Sequence, residues 1–202
     1  MATKTLLTIE QYMALGEDPP GMRYELSDGE LIVTPSSNYF HNEIRDRFNA
    51  RLRTFLGTNP LGIVTSETDV KLGSNIVRRP DVAFIHKDRL PGVDLGHIPL
   101  AAVPNLVIEI VSPTDRAADL RKKTSQYFDA GVQSIWFFYP EDRLTYRHAA
   151  DRLEPKAFSE NDEFSEPALL PGFTLKISEI FTWGNDPMNA SGPLPSQDTG
   201  GH

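Results

Sequence analysis

The sequence predicts an α/β fold in which helices pack on one mixed β-sheet. Two observations support this prediction. Strand-like apolar runs occur along most of the chain, and segments with helical apolar spacing interrupt them. The length of 202 residues and the hydrophobic fraction of 39% fit a single domain with a substantial core. We place this domain at residues 1–183 and expect the polar, Pro/Gly-rich segment 184–202 to be a disordered C-terminal tail.

The chain is predicted to begin with a short helix and a β-hairpin. Residues 8–15 have helical character, and Thr8 is suited to cap their N-terminus. The segment "YELSDGELIVTP", residues 24–35, has strand-like runs on both sides of a polar turn. Because Asp and Gly both tolerate the backbone of a tight hairpin, the turn is placed at Asp28 and Gly29.

The clearest helix is predicted over 38–57, with Gly57 at its end. Its apolar residues recur at helical spacing: Phe40, Ile44, Phe48, Leu52 and Phe55. Two strands are predicted next, at 62–72 and 78–86. A loop, 88–104, follows them.

The second half of the chain contains the most apolar strand. Residues 105–112, "NLVIEIVS", read as a strand buried on both faces. A second helix is predicted within 112–132, closing near Gly131. The remaining elements are a strand pair, a short strand and a final helical turn, at 134–139, 143–149 and within 158–181.

Two acidic residues stand in unusual places. Asp81 follows Pro80 at the start of the strand "DVAFI", and Glu109 lies inside "NLVIEIVS". A buried carboxylate is normally paired or bound to a cation, because burying it alone is costly. If the two strands are neighbours, the carboxylates form a hard-oxygen site suited to Mg²⁺ or Mn²⁺. The alternatives are a turn role for Asp81 and a buried ion pair for Glu109, although the sequence around Glu109 offers no obvious partner.

Lys123 is the candidate for a cation close to these carboxylates. It lies in the helix after the Glu109 strand and shares one helical face with Asp119, Gln126 and Tyr127. Tertiary packing could lay this face over the carboxylates. From spacing alone, an ordinary surface pair between Asp119 and Lys123 explains the pattern equally well.

The segments "RRPDVAFI" and "PNLVIEIVSPTDRAADLRKKTSQYFDAGVQSIWFF" resemble the Uma-two family of restriction endonucleases, within the PD-(D/E)XK nuclease superfamily. The resemblance extends to "YELSDGELI", "FHNEI" and "LLPGFTLKISEIF", and so covers most of residues 8–181. It implies a restriction-endonuclease-like core and metal-dependent cleavage of nucleic acid. The motif residues it implies are Asp81 and Glu109, both catalytic and both ligands of Mg²⁺ or Mn²⁺.

The chain departs from the superfamily pattern at one position. A lysine is expected two residues after the motif glutamate, where this chain has Val111. The resemblance implies that Lys123, from the following helix, takes over as the third catalytic residue. The resemblance also implies roles for two further residues. Glu25 would be an extra metal ligand or would support a metal ligand, and His41 would contact a phosphate or a water molecule. The alternatives are an ion pair with a nearby arginine for Glu25 and a capping or packing role for His41.

The composition and the absence of certain motifs argue against several other classes of function. The net charge of −8, mostly from residues after 132, argues against a general nucleic-acid binder, although basic clusters lie upstream. The absence of cysteine excludes disulfides and thiolate metal sites. No phosphate-binding glycine loop is present, and Ser112 lacks the glycines of a hydrolase elbow, so Ser112 is assigned to a turn or cap. The consecutive aromatic residues 136–139 are assigned to the core.

The sequence therefore predicts a metal-dependent endonuclease that acts on nucleic acid, with DNA as the expected substrate. The alternative is a catalytically inactive module on the same fold that binds nucleic acid or a protein partner. The first residues lack the apolar core of a signal peptide, and no segment is apolar enough to span a bilayer, so a cytoplasmic protein without a membrane partner is expected. A homodimer is plausible because cutting both strands of a duplex takes two sites or two visits.

Overall fold

Helices separate runs of strands along residues 6–181, which are the residues that this computed structural model describes. The helices among them are α1 (Ile9–Met13), α2 (Tyr39–Thr58), α3 (Ala117–Ala130) and α4 (Ile177–Phe181). The strands are β1 (Met22–Ser27), β2 (Glu30–Pro35), β3 (Gly62–Ser66), β4 (Val70–Lys71), β5 (Val77–Arg78), β6 (Val82–His86), β7 (Leu106–Ile110), β8 (Ser134–Tyr139), β9 (Leu144–Ala149), β10 (Lys156–Ser159), β11 (Glu163–Ser165) and β12 (Thr174–Lys176). The predicted tail at 184–202 lies outside the described residues.

The central sheet has six strands in the order β10-β9-β8-β7-β6-β3. Strands β7 and β8 are parallel and are joined through α3, whereas the other neighbours are antiparallel. This mixed sheet with helices packed on it confirms the predicted fold class. The prediction of a single sheet is wrong, because the described residues also form a four-stranded sheet, β2-β1-β5-β4, and a two-stranded sheet, β11-β12.

Two breaks in the backbone explain the second sheet. The predicted strand at 62–72 divides into β3 and β4, because Glu67 adopts a positive φ of 48°. The predicted strand at 78–86 divides into β5 and β6 around Pro80, which has no N–H to donate to a sheet. Strands β3 and β6 enter the central sheet, whereas β4 and β5 enter the four-stranded sheet. The two sheets therefore meet beside Asp81.

The residues of β7 alternate between two apolar clusters. Leu106, Ile108 and Ile110 face the larger cluster, where α2 contributes its buried apolar stripe, Ile44, Phe48 and Leu52. Val107 faces a smaller cluster that includes Tyr127 of α3. Glu109 follows the period of Val107, so its carboxylate lies on the α3 side. The predicted core role of residues 136–139 is confirmed, since Trp136 and Phe138 join the first cluster and Phe137 joins the second.

Local hydrogen bonds set the helix ends, which depart from prediction at the end of α2 and at the start of α3. Thr8 caps α1 as predicted. Gly57 does not end α2; the helix continues to Thr58, and Asn59 caps it by donating its amide to Phe55. Gly131 closes α3 as predicted, at a φ of 101°. None of the helices in the described residues is both long and apolar enough to cross a membrane.

The start of α3 lies later than predicted. The amide of Ser112 donates to Asp115, and the amide of Asp115 donates back to the Ser112 carbonyl. This turn occupies the residues that were assigned to the first turn of the helix, and it confirms the turn role of Ser112. The helix itself begins at Ala117. The C-terminal segment within 158–181 also contains more strand than predicted. Strand β10 ends inside it, at Ser159, and β11 and β12 lie wholly within it.

Candidate active site

Asp81 and Glu109 lie opposite each other at one end of the central sheet. Strands β6 and β7 are antiparallel, with Val82 opposite Ile108. One step further along this register, Asp81 stands opposite Glu109, and opposing residues of an antiparallel pair project from the same face. The Ile110 amide donates to Asp81 Oδ2 at 2.7 Å, which fixes the carboxylate beside β7. Both residues are nearly inaccessible to solvent, at 3% and 5% exposed.

Glu109 is held by two side chains of α3. Lys123 Nζ donates to Glu109 Oε2 at 2.8 Å, and the Tyr127 hydroxyl donates to Oε1 at 2.6 Å. Lys123 and Tyr127 are one helical turn apart, so one face of α3 supplies both donors. The alternative of a buried ion pair for Glu109 is therefore present, with Lys123 as its partner. Both partners belong to the helical face that was predicted to lie over the carboxylates.

The buried charges shift one another's pKa values. Burial raises the pKa of Glu109 to about 7, and the negative charges of Asp81 and Glu25 add to this, although Lys123 acts in the opposite direction. Burial would lower the pKa of Lys123, but the charges of Glu109 and Glu25 outweigh it and raise the pKa. Lys123 is therefore a cation at neutral pH, and it can supply charge rather than accept a proton.

Asp81 is held by side chains of α2 and β1. His41 Nε2 lies 3.2 Å from Asp81 Oδ2, and Arg23 Nη1 lies 3.6 Å from Oδ1. Burial would raise the pKa of Asp81, but the hydrogen bond and charge of His41, together with Lys123, lower it. His41 Nδ1 is buried and has no hydrogen-bond partner among the described residues. The predicted site residue His41 thus contacts a motif carboxylate directly and does more than pack against the helix start.

Glu25 joins the site through the four-stranded sheet. Its Oε1 accepts from the Arg79 amide at 2.7 Å and lies 3.6 Å from Lys123 Nζ, while its Oε2 accepts from Arg78 Nη1 at 2.8 Å. Burial would raise the pKa of Glu25, but Lys123 and Arg78 lower it. The predicted alternative of an arginine pair is therefore present, and the carboxylate also borders the candidate site. Glu25, Glu109 and Lys123 form one continuous network, in which the two carboxylates are buried and Lys123 is partly buried.

Arg78 and Gln126 are parts of this network that the sequence analysis did not assign. Arg78 donates to Gln126 Oε1 through Nε at 2.9 Å and through Nη2 at 2.6 Å, and it also reaches Ser27. Gln126 donates to the same serine at 3.1 Å. A buried arginine needs several acceptors, and here they come from the hairpin and from α3. The only signal in the sequence was the position of Arg78 in "RRPD" and of Gln126 on the Lys123 face.

Glu67 extends the row of acidic residues by one strand. Ser66 of β3 lies opposite Val82, so the next step of this register places Glu67 beside Asp81. The Glu67 amide donates to the Pro80 carbonyl at 3.1 Å, one residue out of this register, so the regular pairing ends here. The sequence did not reveal this residue, because "TSETD" reads as a strand without a break. Among the described residues, no group of three or more acidic or histidine side chains is arranged to hold a metal ion.

A family model described as "Putative restriction endonuclease", named Uma2, matches residues 9–178. The chain belongs to this family. The match covers all the candidate residues described above, from Glu25 on β1 to Lys123 on α3. It confirms the resemblance predicted from the motifs around Asp81 and Glu109.

The fold is also found in a solved structure. The chain is similar to a protein from Anabaena variabilis ATCC 29413 whose crystal structure is described as that of "a putative nuclease belonging to DUF820". The two chains share 19% sequence identity with a TM-score of 0.74, over 87% of this chain and 97% of the other. At this identity the likeness establishes the fold. No curated protein matches the chain.

Proposed function

We propose that this member of the Uma2 family is a metal-dependent endonuclease that hydrolyses phosphodiester bonds of nucleic acid, with DNA as its substrate. The observation that carries the proposal is the placement of Asp81 opposite Glu109 with Lys123 on the same face. The description of the family as restriction endonucleases and that of the solved relative as a nuclease support the same reaction class. The catalytic residues in this proposal are Asp81, Glu109 and Lys123.

The donor set of the site fits Mg²⁺ or Mn²⁺. These ions prefer oxygen ligands and are often held by only two carboxylates together with water and substrate phosphate. In this proposal Asp81 and Glu109 are the protein ligands, and Glu25 supports the site from the other sheet. A bound ion would polarise the phosphoryl oxygen and lower the pKa of the attacking water. Lys123 bonds Glu109 Oε2 directly, so a bound ion would have to share or displace this contact.

The side chains around the carboxylates divide the remaining work. The Tyr127 hydroxyl fixes one oxygen of Glu109, and the His41 ring fixes one oxygen of Asp81. Lys123, a cation at neutral pH, would lie close enough to stabilise negative charge on the phosphate and to orient the water. It thereby serves the role of the lysine that Val111 replaces in the superfamily pattern.

The test is nicking of a supercoiled plasmid by the purified full chain in Mg²⁺ or Mn²⁺. Asp81→Asn and Glu109→Gln keep the shape of each side chain but remove its charge, and both should abolish metal-dependent nicking. Asp88→Asn is the matched control, since Asp88 lies just after β6 and its side chain is 78% exposed. Equal cutting by wild type and both site variants would overturn the assignment. Calorimetric titration of the wild-type protein with Mn²⁺ measures metal binding directly.

A second candidate function is a non-catalytic module that binds nucleic acid or a protein partner. Two observations favour it. Val111 stands where the superfamily keeps a lysine, and both oxygens of Glu109 already have donors within the chain. This candidate predicts DNA binding without nicking in any divalent metal and no calorimetric response to Mn²⁺. For the nuclease, we further propose a homodimer, because a dimer would bring the two active sites that can cut both strands of a duplex in one visit. Sedimentation of the purified chain would test this.

A further inference from the structure

Two arginines at the outer edge of the candidate site share one carboxylate. Arg23 lies on β1 and Arg45 lies on α2; we call them the arginine pair. Glu67 Oε1 lies 3.3 Å from Arg23 Nη2, and Glu67 Oε2 lies 2.8 Å from Arg45 Nη1. Arg23 Nη1 also lies 3.6 Å from Asp81 Oδ1. The arginine pair is therefore continuous with the catalytic carboxylates proposed above.

Solvent exposure orders these three side chains from the outside inward. The Glu67 side chain is 36% exposed, whereas those of Arg23 and Arg45 are 16% and 14% exposed. A ligand that arrives from solvent thus meets the carboxylate first and the two guanidinium groups behind it. Glu67 is also held at a φ of 48°, a left-handed conformation that is unfavourable for glutamate and is often found at functional positions.

We propose that the arginine pair is a phosphate-binding subsite for nucleic acid, and that Glu67 occupies it as an internal competitor until the substrate arrives. This inference rests on the proposed function. The carboxylate places one oxygen on each guanidinium group, which is how the two non-bridging oxygens of a phosphodiester can contact two arginines. Displacement of Glu67 by a backbone phosphate would leave the same two contacts in place.

The negative charge of the candidate site explains why a phosphate-binding subsite would be needed beside it. Asp81 lies beside Arg23, and Glu109 is within electrostatic reach of both Asp81 and Glu25. Lys123 and Arg78 offset part of this negative charge, and the remainder repels an approaching polyanion. A pair of guanidinium groups beside Asp81 would offset this repulsion and hold a phosphate next to the one that reacts. Such contacts fix the position of the backbone and do not read sequence.

The decisive variant is Glu67→Gln, which removes the competing charge and keeps the side-chain shape. Binding of a short fluorescein-labelled DNA duplex is measured by anisotropy in EDTA, so that no cleavage takes place. Affinity should rise about fivefold, because the variant removes a partly exposed carboxylate that pairs with both arginines. Glu43→Gln is the matched control, because Glu43 is also 36% exposed and also pairs with an arginine of α2, Arg47. It lies two residues before Arg45 and so faces the opposite side of the helix.

A second pair of variants tests the arginines. Arg45→Gln should weaken binding of the same duplex and reduce the magnitude of its salt dependence by about one phosphate contact. Arg51→Gln makes the same charge change on α2 at a residue that is 61% exposed and pairs with Glu179. It should leave the salt dependence unchanged. Melting temperatures verify that each variant is folded before its affinity is compared.

The outcomes separate this inference from the proposed function. The subsite is overturned if Glu67→Gln binds no tighter than Glu43→Gln, or if the wild type does not bind the duplex at all. The subsite stands if the charge variants change DNA binding as expected, even when no metal supports nicking. The absence of nicking would overturn the nuclease proposal alone. Plasmid nicking that depends on Asp81 but not on Arg45 or Glu67 would overturn the subsite alone.

Discussion

At the residue scale, Glu109 shows how a chain can keep a carboxylate in its core. A buried charge without partners is strongly destabilising, and here Lys123 and Tyr127 donate to its two oxygens. The burial of Glu109 does not in itself require a metal ion, because these two donors already satisfy the carboxylate. The proposal that Glu109 is a catalytic residue rests instead on its position opposite Asp81, one step beyond the Val82–Ile108 pair.

Tyr127→Phe tests the support of Glu109. The variant removes only the hydroxyl, so Glu109 Oε1 loses a donor while the ring still fills its place in the core. We expect a loss of about 1–3 kcal/mol in the free energy of unfolding. Urea titration measures it. Tyr146→Phe is the control at a partly buried tyrosine of β9, and a loss as large there would show that Glu109 gains nothing special from Tyr127.

The pKa of Glu109 predicts how metal binding depends on pH. Burial raises this pKa to about 7, and a divalent ion binds only the ionised carboxylate. Protons therefore compete with the ion as the pH falls through this value. We expect Mn²⁺ affinity to drop about tenfold for each pH unit below about 7 and to level off above it. Calorimetry across this range checks the slope, and a flat profile would contradict the assignment of Glu109 as a ligand.

At the element scale, α3 carries a large share of the site. Lys123, Gln126 and Tyr127 all project from it, and the helix crosses between the parallel strands β7 and β8. Its C-terminus depends on Gly131, whose φ of 101° is open to glycine and unfavourable for other residues. The position of Lys123 thus depends partly on a glycine eight residues away.

Gly131→Ala should destabilise the protein by about 1 kcal/mol. The cost is conformational, since an added Cβ would meet no atom within 4 Å. Gly57→Ala is the matched comparison, because this position is equally open but is helical, and alanine there should stabilise by about 0.4–1 kcal/mol. Thermal melting of both variants gives the comparison. Equal effects of the same sign would contradict the role of the left-handed glycine.

The sequence predicted elements well where the pattern was local. The hairpin at Asp28 and Gly29 and the cap at Thr8 depend on neighbouring residues, and both are present, the hairpin turn with φ values of 53° and 80°. Gly57 was misread because a helix tolerates an internal glycine at modest cost. The break at Glu67 was missed because its cause lies in contacts with other elements.

The candidate site was predicted only in part, because some of its residues are placed by local patterns and others by contacts between distant elements. The neighbouring placement of Asp81 and Glu109 followed from strand assignment and motif. Lys123 came from the family resemblance, because its helical face alone fitted a surface pair with Asp119 equally well. Arg78 and Glu67 were not found, because their partners are more than 20 residues away in sequence or are reached only through a strained backbone. Such contacts depend on tertiary packing, which a single sequence does not display.

At the scale of the whole molecule, Arg78 connects the four-stranded sheet to α3. Its side chain is buried and bonds Glu25 and Ser27 on the hairpin and Gln126 on the helix. Through these contacts it joins the two halves of the candidate site. The network is fully internal, so removing its cation leaves several acceptors unsatisfied.

Arg78→Met is expected to destabilise the protein by about 3–5 kcal/mol, since it leaves the buried Glu25 carboxylate with less compensation. Urea unfolding of the purified chain measures the loss. Arg51→Met removes a cation from an exposed pair and should change stability by less than about 1 kcal/mol. A small effect at Arg78 would mean that the sheets are held together by their apolar contacts alone.

The alternation of side chains along β7 has a consequence for how the chain finds its fold. If β7 paired with β6 one residue out of register, every side chain of β7 would change face. Glu109 would then enter the apolar cluster of Phe48 and Phe138, and Ile110 would meet Asp81. A carboxylate at this position therefore penalises the misaligned sheet. The proposed catalytic glutamate, whatever its chemistry, also selects the correct strand alignment during folding.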